Sequence, residues 1–140
     1  MCSAFSQIQT LNKGRMGQDK YEDMIRKATV HLEFCAKLYK IQMDRGRYFL
    51  HEHPASAKSW ENDMMSRLSK DQRVYTIIGD MCRFKMTQQD EYGTGLVKKR
   101  TGFMTNAVMI AGRLAQRCDG GHRHIHLINC LLYTSDAADE

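Results

Sequence analysis

A long helical repeat that runs straight into a short apolar strand constrains this chain more than any other feature. Between about residues 18 and 44, Tyr21, Met24, Ile25, Ala28, Leu32, Cys35, Ala36, Tyr39 and Met43 recur at steps of three and four. Lys20, Asp23, Lys27, Lys37 and Lys40 take the opposite side. Asp44-Arg45-Gly46-Arg47 ends the run, with Gly46 suited to a left-handed cap. Residues 48–51, Tyr-Phe-Leu-His, are extended and mostly apolar, and Glu52, His53 and Pro54 follow at once. That is the profile of a buried strand whose carboxyl end delivers polar groups to a cleft. A helix laid back before a strand is the α-to-β half of an alternating fold.

The rest of the chain continues the alternation. Residues 1–17 read as a loop. Pro54 closes the first strand, and Ser56 or Ser59 can cap a helix over about 57–69 with Trp60, Met64 and Leu68 inward. Residues 74–78, Val-Tyr-Thr-Ile-Ile, are β-formers and predict a second strand. Residues 82–99 read as a long polar loop with Tyr92-Gly93-Thr94-Gly95 at its tip, and 100–105 as a third strand. Asn106 is placed to cap a last helix over 107–117 that buries Val108, Ala111 and Leu114. Asp119-Gly120-Gly121 breaks it, and residues 122–128 enter a fourth strand. This order argues for a three-layer α/β sheet, with the later strands open to an antiparallel arrangement.

At 140 residues the chain is one domain at most. It has no apolar run long enough for a membrane span and no secretory signal region. Five cysteines without close spacing favour a reducing, intracellular compartment, nuclear or cytoplasmic. Residues 130–140, Cys-Leu-Leu-Tyr-Thr-Ser-Asp-Ala-Ala-Asp-Glu, resemble a translated sequencing adapter, so the native domain is expected to span 1–129. The net charge is +5; without the tail's Asp136, Asp139 and Glu140 it is three units higher, +8. Such a balance is compatible with a polyanionic partner such as DNA.

Four sets of residues can carry chemistry. Cys2, in a loop with small neighbours, is either an exposed nucleophile or an ordinary terminal cysteine. Glu52, at a strand's end between His51, His53 and Pro54, is either a partly buried hydrogen-bonding acid or a solvated glutamate. Cys82, Cys118, His122 and His124, with His126, have zinc-ligand chemistry, and His-x-His can chelate from a strand. Their spacing is that of no known finger, and the alternative is two separate cysteines with histidines at a cleft rim. Arg45, Arg47, Lys85, Lys98, Lys99, Arg100, Arg113, Arg117 and Arg123 are either a solvated surface or a phosphate-tracking face. The ten methionines read as packing.

Taken together, Cys2-x-x-Phe5-Ser6, a long helix and a strand ending in Glu52-x-Pro54 resemble the catalytic core of the DNA cytosine-5 methyltransferases. There a Pro-Cys-x-x-Phe-Ser loop presents the nucleophile, and a strand ending in Glu-Asn-Val or Glu-Asn-Pro presents a carboxylate. The resemblance implies Cys2 and Glu52 in those roles, with His53 in place of the asparagine, and Ser6, His53, Lys99 and Arg100 about the substrate. Asp80-Met81-Cys82-Arg83-Phe84 is similar to the family's strand-to-loop segment, where a Tyr-Gly or Phe-Gly follows. Residues 98–103, Lys-Lys-Arg-Thr-Gly-Phe, stand where the family has a basic motif before a strand. The same succession, ending in Cys118-x-Gly120-x-His122-x-His124, resembles still more closely a domain of protist retroelement polyproteins, over nearly all of residues 1–129.

The resemblance implies a Rossmann-like, methyltransferase-type sheet, truncated at both ends. It implies a flipped cytosine attacked at carbon 6 by the Cys2 thiolate, with the Glu52 carboxyl on the base edge. Carbon 5 would take a methyl group from S-adenosylmethionine. The chain departs from that pattern. It opens at the cysteine loop and has no Gly-rich strand-to-helix turn and no acidic ribose-binding residue. The prolines before the cysteine and the Gln-x-Arg-x-Arg motif are also missing. The full domain is therefore expected to be a methyltransferase, and this fragment neither to bind the methyl donor nor to turn over. The alternatives are a non-catalytic nucleic-acid-binding or structural module that works with other polyprotein segments, and a zinc-stabilised interaction domain.

Overall fold

The computed structural model of the chain describes residues 3–5, 14 and 17–127. The apolar repeat forms the long helix α1 (Gln18–Asp44), which buries Ala28, Leu32, Ala36 and Met43. Its end is a Schellman turn. The Gly46 amide donates to the Met43 carbonyl at 3.0 Å and the Arg47 amide to the Gln42 carbonyl at 2.8 Å, with Gly46 at φ +68°. Val30, Phe34, Leu38 and Ile41 form an exposed apolar stripe on the same helix.

Two three-stranded sheets follow, built from β1 (Leu50–Pro54), β2 (Tyr75–Asp80), β3 (Thr87–Asp90), β4 (Gly93–Val97), β5 (Arg100–Thr105) and β6 (His124–Ile125). The main sheet has the order β1-β5-β2, with β5 antiparallel to both neighbours. β1 and β2 therefore run in the same direction. Between them in sequence lie a 3-10 turn (Lys58–Glu61) and helix α2 (Asp63–Ser69). The smaller sheet has the order β3-β4-β6, with β3 and β4 an antiparallel hairpin and β6 parallel to β4. Helix α3 (Val108–Leu114) follows β5.

The two faces of the main sheet are covered by different elements. A Cβ built on Gly102 of β5 would meet the Trp60 ring at 2.7 Å, and Met104 packs with Leu32, Met43, Phe49, Met65 and Leu68 in the core under α1 and α2. On the other face a Cβ on Gly79 would meet the Leu114 carbonyl oxygen at 2.5 Å, beside Phe103 and Phe84, so α3 ends directly over β2. The class expected from the sequence, α/β, is the class observed: the described residues form two small sheets with helices α1, α2 and α3.

Several boundaries differ from expectation, each for a local reason. The first strand was expected over 48–51 but begins at Leu50, because the Phe49 backbone is occupied by side chains. Its amide donates to Asn106 Oδ1 at 3.0 Å, and its carbonyl accepts from Thr105 Oγ1 at 2.6 Å. Asn106 consequently does not cap the last helix. It holds residues 47–49 instead, and the helix is shorter than expected, with Val108 exposed and Ala111 buried. The helix expected over 57–69 is divided. Ser59 is drawn into the core to bond His53, and Asn62 caps α2 by accepting from the Met64 and Met65 amides. The expected loop 82–99 is a 3-10 turn (Met81–Phe84) and the β3–β4 hairpin, whose tip is Glu91-Tyr92 rather than 92–95. Gly95 is instead a strand residue where the Arg123 side chain lies across the backbone. The segment expected to enter a strand over 122–128 forms the two-residue β6 among its described part. The adapter-like tail lies outside the described residues.

β1 buries two imidazoles side by side. His51 and His53 are stacked with centroids 5.4 Å apart, His51 lies edge-on to Trp60, and Tyr39 Oη is 3.2 Å from His51 Nδ1. Burial, with the neighbouring His53, pushes the His51 pKa down to about 4, while burial raises Tyr39 to about 12. The unfolded chain therefore takes up a proton at His51 near its ordinary value of about 6.5, which the folded chain refuses. This contribution is complete above about 6.5 and is lost as pH falls toward 4, up to about 3 kcal/mol in all. Urea unfolding at pH 7, 6 and 5 should show stability falling with pH. In His51→Phe the slope between pH 6 and 5 should be smaller by roughly 1 kcal/mol per unit. Gly79→Ala should lower the unfolding free energy by about 1–3 kcal/mol, because its methyl group meets a backbone carbonyl that cannot swing aside.

Candidate functional site, a basic cleft beside a cysteine–histidine cluster

The carboxyl ends of β1 and β2 and the amino end of β5 meet at one edge of the main sheet. An open cleft of about 1020 Å³ lies there. Pro54, Ala55 and Ser56 follow from β1, Asp80 and Cys82 from β2, and Lys98, Lys99 and Arg100 lead into β5. The segment after α3 supplies Arg117, Cys118, Asp119 and Gly120, and His124 and His126 complete the wall. A cleft at the carboxyl ends of strands is where α/β sheets place ligands.

Asp80 organises this edge. Its half-buried carboxylate accepts the Cys118 amide at 2.8 Å and Arg117 Nε at 2.9 Å, and Arg100 Nε lies 3.7 Å away. Burial alone would raise its pKa, but the Cys118 amide and the Arg117 and Arg100 guanidiniums outweigh it and hold the carboxyl below its ordinary value. The irregular chain after α3 is thereby tied to the end of β2, next to Cys82.

Glu52 is part-buried and pairs with Lys99, Nζ to Oε1 3.4 Å. It borders the cleft through that lysine and is not itself among the lining residues. His53, expected beside Glu52 on the base, points to the opposite face of β1, as alternate strand residues must. There it is buried, 2.6 Å from Ser59 Oγ, with Phe5 6.3 Å away. Burial lowers its pKa, opposed by Glu52. Cys2 and Ser6 lie outside the described residues. The 3-10 turn between them (Ser3–Phe5) buries Ala4 and Phe5 in the core beside α1 and β1. Lys99 and Arg100 do come together with the ends of β1 and β2 at the cleft.

Cys82, Cys118, His122 and His124 are also brought together. Their ligand atoms all lie within 4.8 Å of one another, and they are the one such group among the described residues. Cys118 Sγ is 3.6 Å from His122 Nε2 and 3.5 Å from His124 Nε2, and the two rings are 4.4 Å apart. The Gly120 amide points at the same sulfur at 3.3 Å. His126, the remaining candidate ligand, is exposed at the cleft wall.

Asp80 was named in the sequence only within the segment 80–84 and not as a site residue; a carboxylate closing a run of β-formers was the available signal. Arg117 was named only among the scattered basic residues of a solvated surface or phosphate-tracking face, and its place on the cleft comes from Asp80.

No family model matches the chain, and neither the curated proteins nor the solved structures give a match.

Lys85, directly after the turn that carries Cys82, is the one non-glycine residue with positive φ among the described residues, at +59°. An L side chain in the left-handed region costs about 1–2 kcal/mol, offset in part by the entropy glycine loses on folding. Lys85→Gly should therefore stabilise the protein by roughly 0.5–1 kcal/mol in denaturant titrations.

Proposed function

We propose that this chain is a nucleic-acid-binding α/β module whose phosphate-tracking surface is the cleft at the ends of β1, β2 and β5. The observation that carries the reading is the convergence of Lys98, Lys99, Arg100 and Arg117, from two separate segments, on one open cleft that also holds the carboxylates Asp80 and Asp119. Four cations against two carboxylates leave the cleft positive. Its open form suits a backbone lying across it better than a small molecule enclosed within it. The overall charge of +5 acts in the same direction.

The framework we propose is the three-layer, methyltransferase-type sheet. Supporting it, α1 and α2 cover one face of β1-β5-β2 and α3 the other, and a helical crossover joins the like-directed β1 and β2. A retroelement polyprotein as the source, and its other segments as partners, belong to the same proposal and rest on the motif order.

A second reading rests on the order of motifs in the sequence. The turn between Cys2 and Ser6 reaches β1, the strand that carries Glu52, but Phe5 meets it at His53, on the face opposite Glu52. In this reading the intact domain is a DNA cytosine-5 methyltransferase, with Cys2 as nucleophile and Glu52 on the base edge. S-adenosylmethionine would be bound by segments outside this chain.

Fluorescence anisotropy with labelled single- and double-stranded DNA over a range of salt concentrations tests the first reading. Binding should weaken steeply with salt, and Lys99→Ala/Arg100→Ala should reduce the slope of log K against log salt by about two. Binding that ignores salt, or a slope unchanged in the double variant, would overturn it. The second reading is tested on the reading frame extended upstream. Covalent trapping on a 5-fluorocytosine duplex in the presence of the methyl donor, abolished by Cys2→Ser, supports it; DNA binding without trapping removes it.

A further inference from the structure

We infer that Cys82, Cys118, His122 and His124 form a structural zinc site that staples the two sheets together.

The donor set fits, and so do the separations of Cys118 from the two histidines. Zinc–sulfur bonds of about 2.3 Å and zinc–nitrogen bonds of about 2.05 Å at tetrahedral angles put sulfur and nitrogen about 3.6 Å apart. The two Cys118–histidine separations are 3.6 and 3.5 Å. In both imidazoles it is Nε2 that faces the sulfur. A cation at the centre takes a lone pair from each of these nitrogens and from the sulfur. The Gly120 amide, 3.3 Å from Cys118 Sγ, is a donor placed to support the thiolate that zinc would bind. Two thiolates and two imidazoles in a closed tetrahedron select zinc over harder cations and leave no open position for a substrate. On binding, zinc(II) displaces the Cys82 and Cys118 thiol protons, so the completed site is neutral.

The topology gives the site something to hold. Cys82 sits in the turn after β2, in the main sheet's chain direction. Cys118 and His122 lie in the irregular chain after α3, and His124 is in β6 of the smaller sheet. β6 is joined to β4 through two residue pairs. Besides that short ladder and the buried Ile125, the segment is held by the Asp80 backbone and carboxylate and by surface contacts of Arg83 and Arg123. The proposal is independent of nucleic-acid binding and stands if the cleft binds nothing.

The test uses the whole chain, purified without chelator and loaded with zinc(II) or cobalt(II) alone. We expect one equivalent of zinc by elemental analysis and release of up to two protons per zinc in calorimetry repeated in buffers of different ionisation heat. Cobalt(II) should give the intense visible bands of a tetrahedral ion and a sulfur-to-cobalt charge-transfer band. Cys118→Ser should lose that band's two-thiolate intensity, while Cys35→Ser and His126→Ala keep it. Misfolding of the serine variant would remove the band as well, so His122→Cys provides a reading that misfolding cannot imitate. With three thiolates in place of two, the charge-transfer intensity should rise by about half. Stoichiometry far below one, an octahedral cobalt spectrum, a Cys82–Cys118 disulfide in the purified protein, or a spectrum unchanged in His122→Cys would overturn the assignment.

Discussion

The whole structure hangs on β5, the strand paired on both edges and buried from Thr101 to Thr105. A central strand must give every backbone group to a neighbour and every side chain to a packed face. β5 meets both demands with β1 and β2 on its edges, Gly102 and Met104 toward the α1 side, and Phe103 toward α3. Its end is secured by side chains. Thr105 and Asn106 take over the backbone of residues 47–49, joining the end of α1 to the start of α3 across the sheet. That clasp sets where β1 begins.

The opposite end of β5 is where chemistry gathers. The short link Lys98–Lys99 carries the chain from the smaller sheet into the main one, with the Lys98 amide donating to Ile125 and the Met81 amide donating to Lys99. The cations of the cleft are therefore fixed by the joint between the sheets. Asp80 performs two tasks at this joint. It gathers Arg100 and Arg117 on the cleft wall, and through the Cys118 amide it sets one cysteine beside the other. A single half-buried carboxylate thus couples the basic surface to the sulfur cluster. Removing it would leave two guanidiniums and one amide without their acceptor.

Much of the architecture could be read from the residues. The three- and four-residue apolar steps gave α1 its limits, because burial along one face of so long a run leaves no other periodic solution. Gly46 marked the cap, since the left-handed turn favours glycine there. The 100–105 strand was visible in its β-branched and aromatic residues, and its limits are those observed. The hairpin inside 82–99 was missed because Thr87 to Val97 is polar and half-exposed, so no alternation with a buried face announces it. Asn106 was read as a cap because local sequence shows an asparagine before a helix and cannot show that the Phe49 amide, 57 positions earlier, takes its side-chain oxygen. His53 was expected toward the substrate because it stands where the resemblance has an asparagine; strand alternation sends it the other way.

The sequence by itself determined the long helix, the three strands of the main sheet and the kinds of ligand available, since these depend on local periodicity and residue chemistry. Only the tertiary structure decided which residues meet. Cys82 and Cys118 are 36 positions apart, and nothing in their spacing fixes a distance. They become neighbours because α3 folds back over β2 and Asp80 catches the chain as it leaves. Lys99 reaches Glu52 across 47 positions for the same reason: antiparallel pairing of β1 with β5 brings the end of one to the start of the other. Long-range contacts follow from strand pairing and packing, which a pattern of neighbours does not encode.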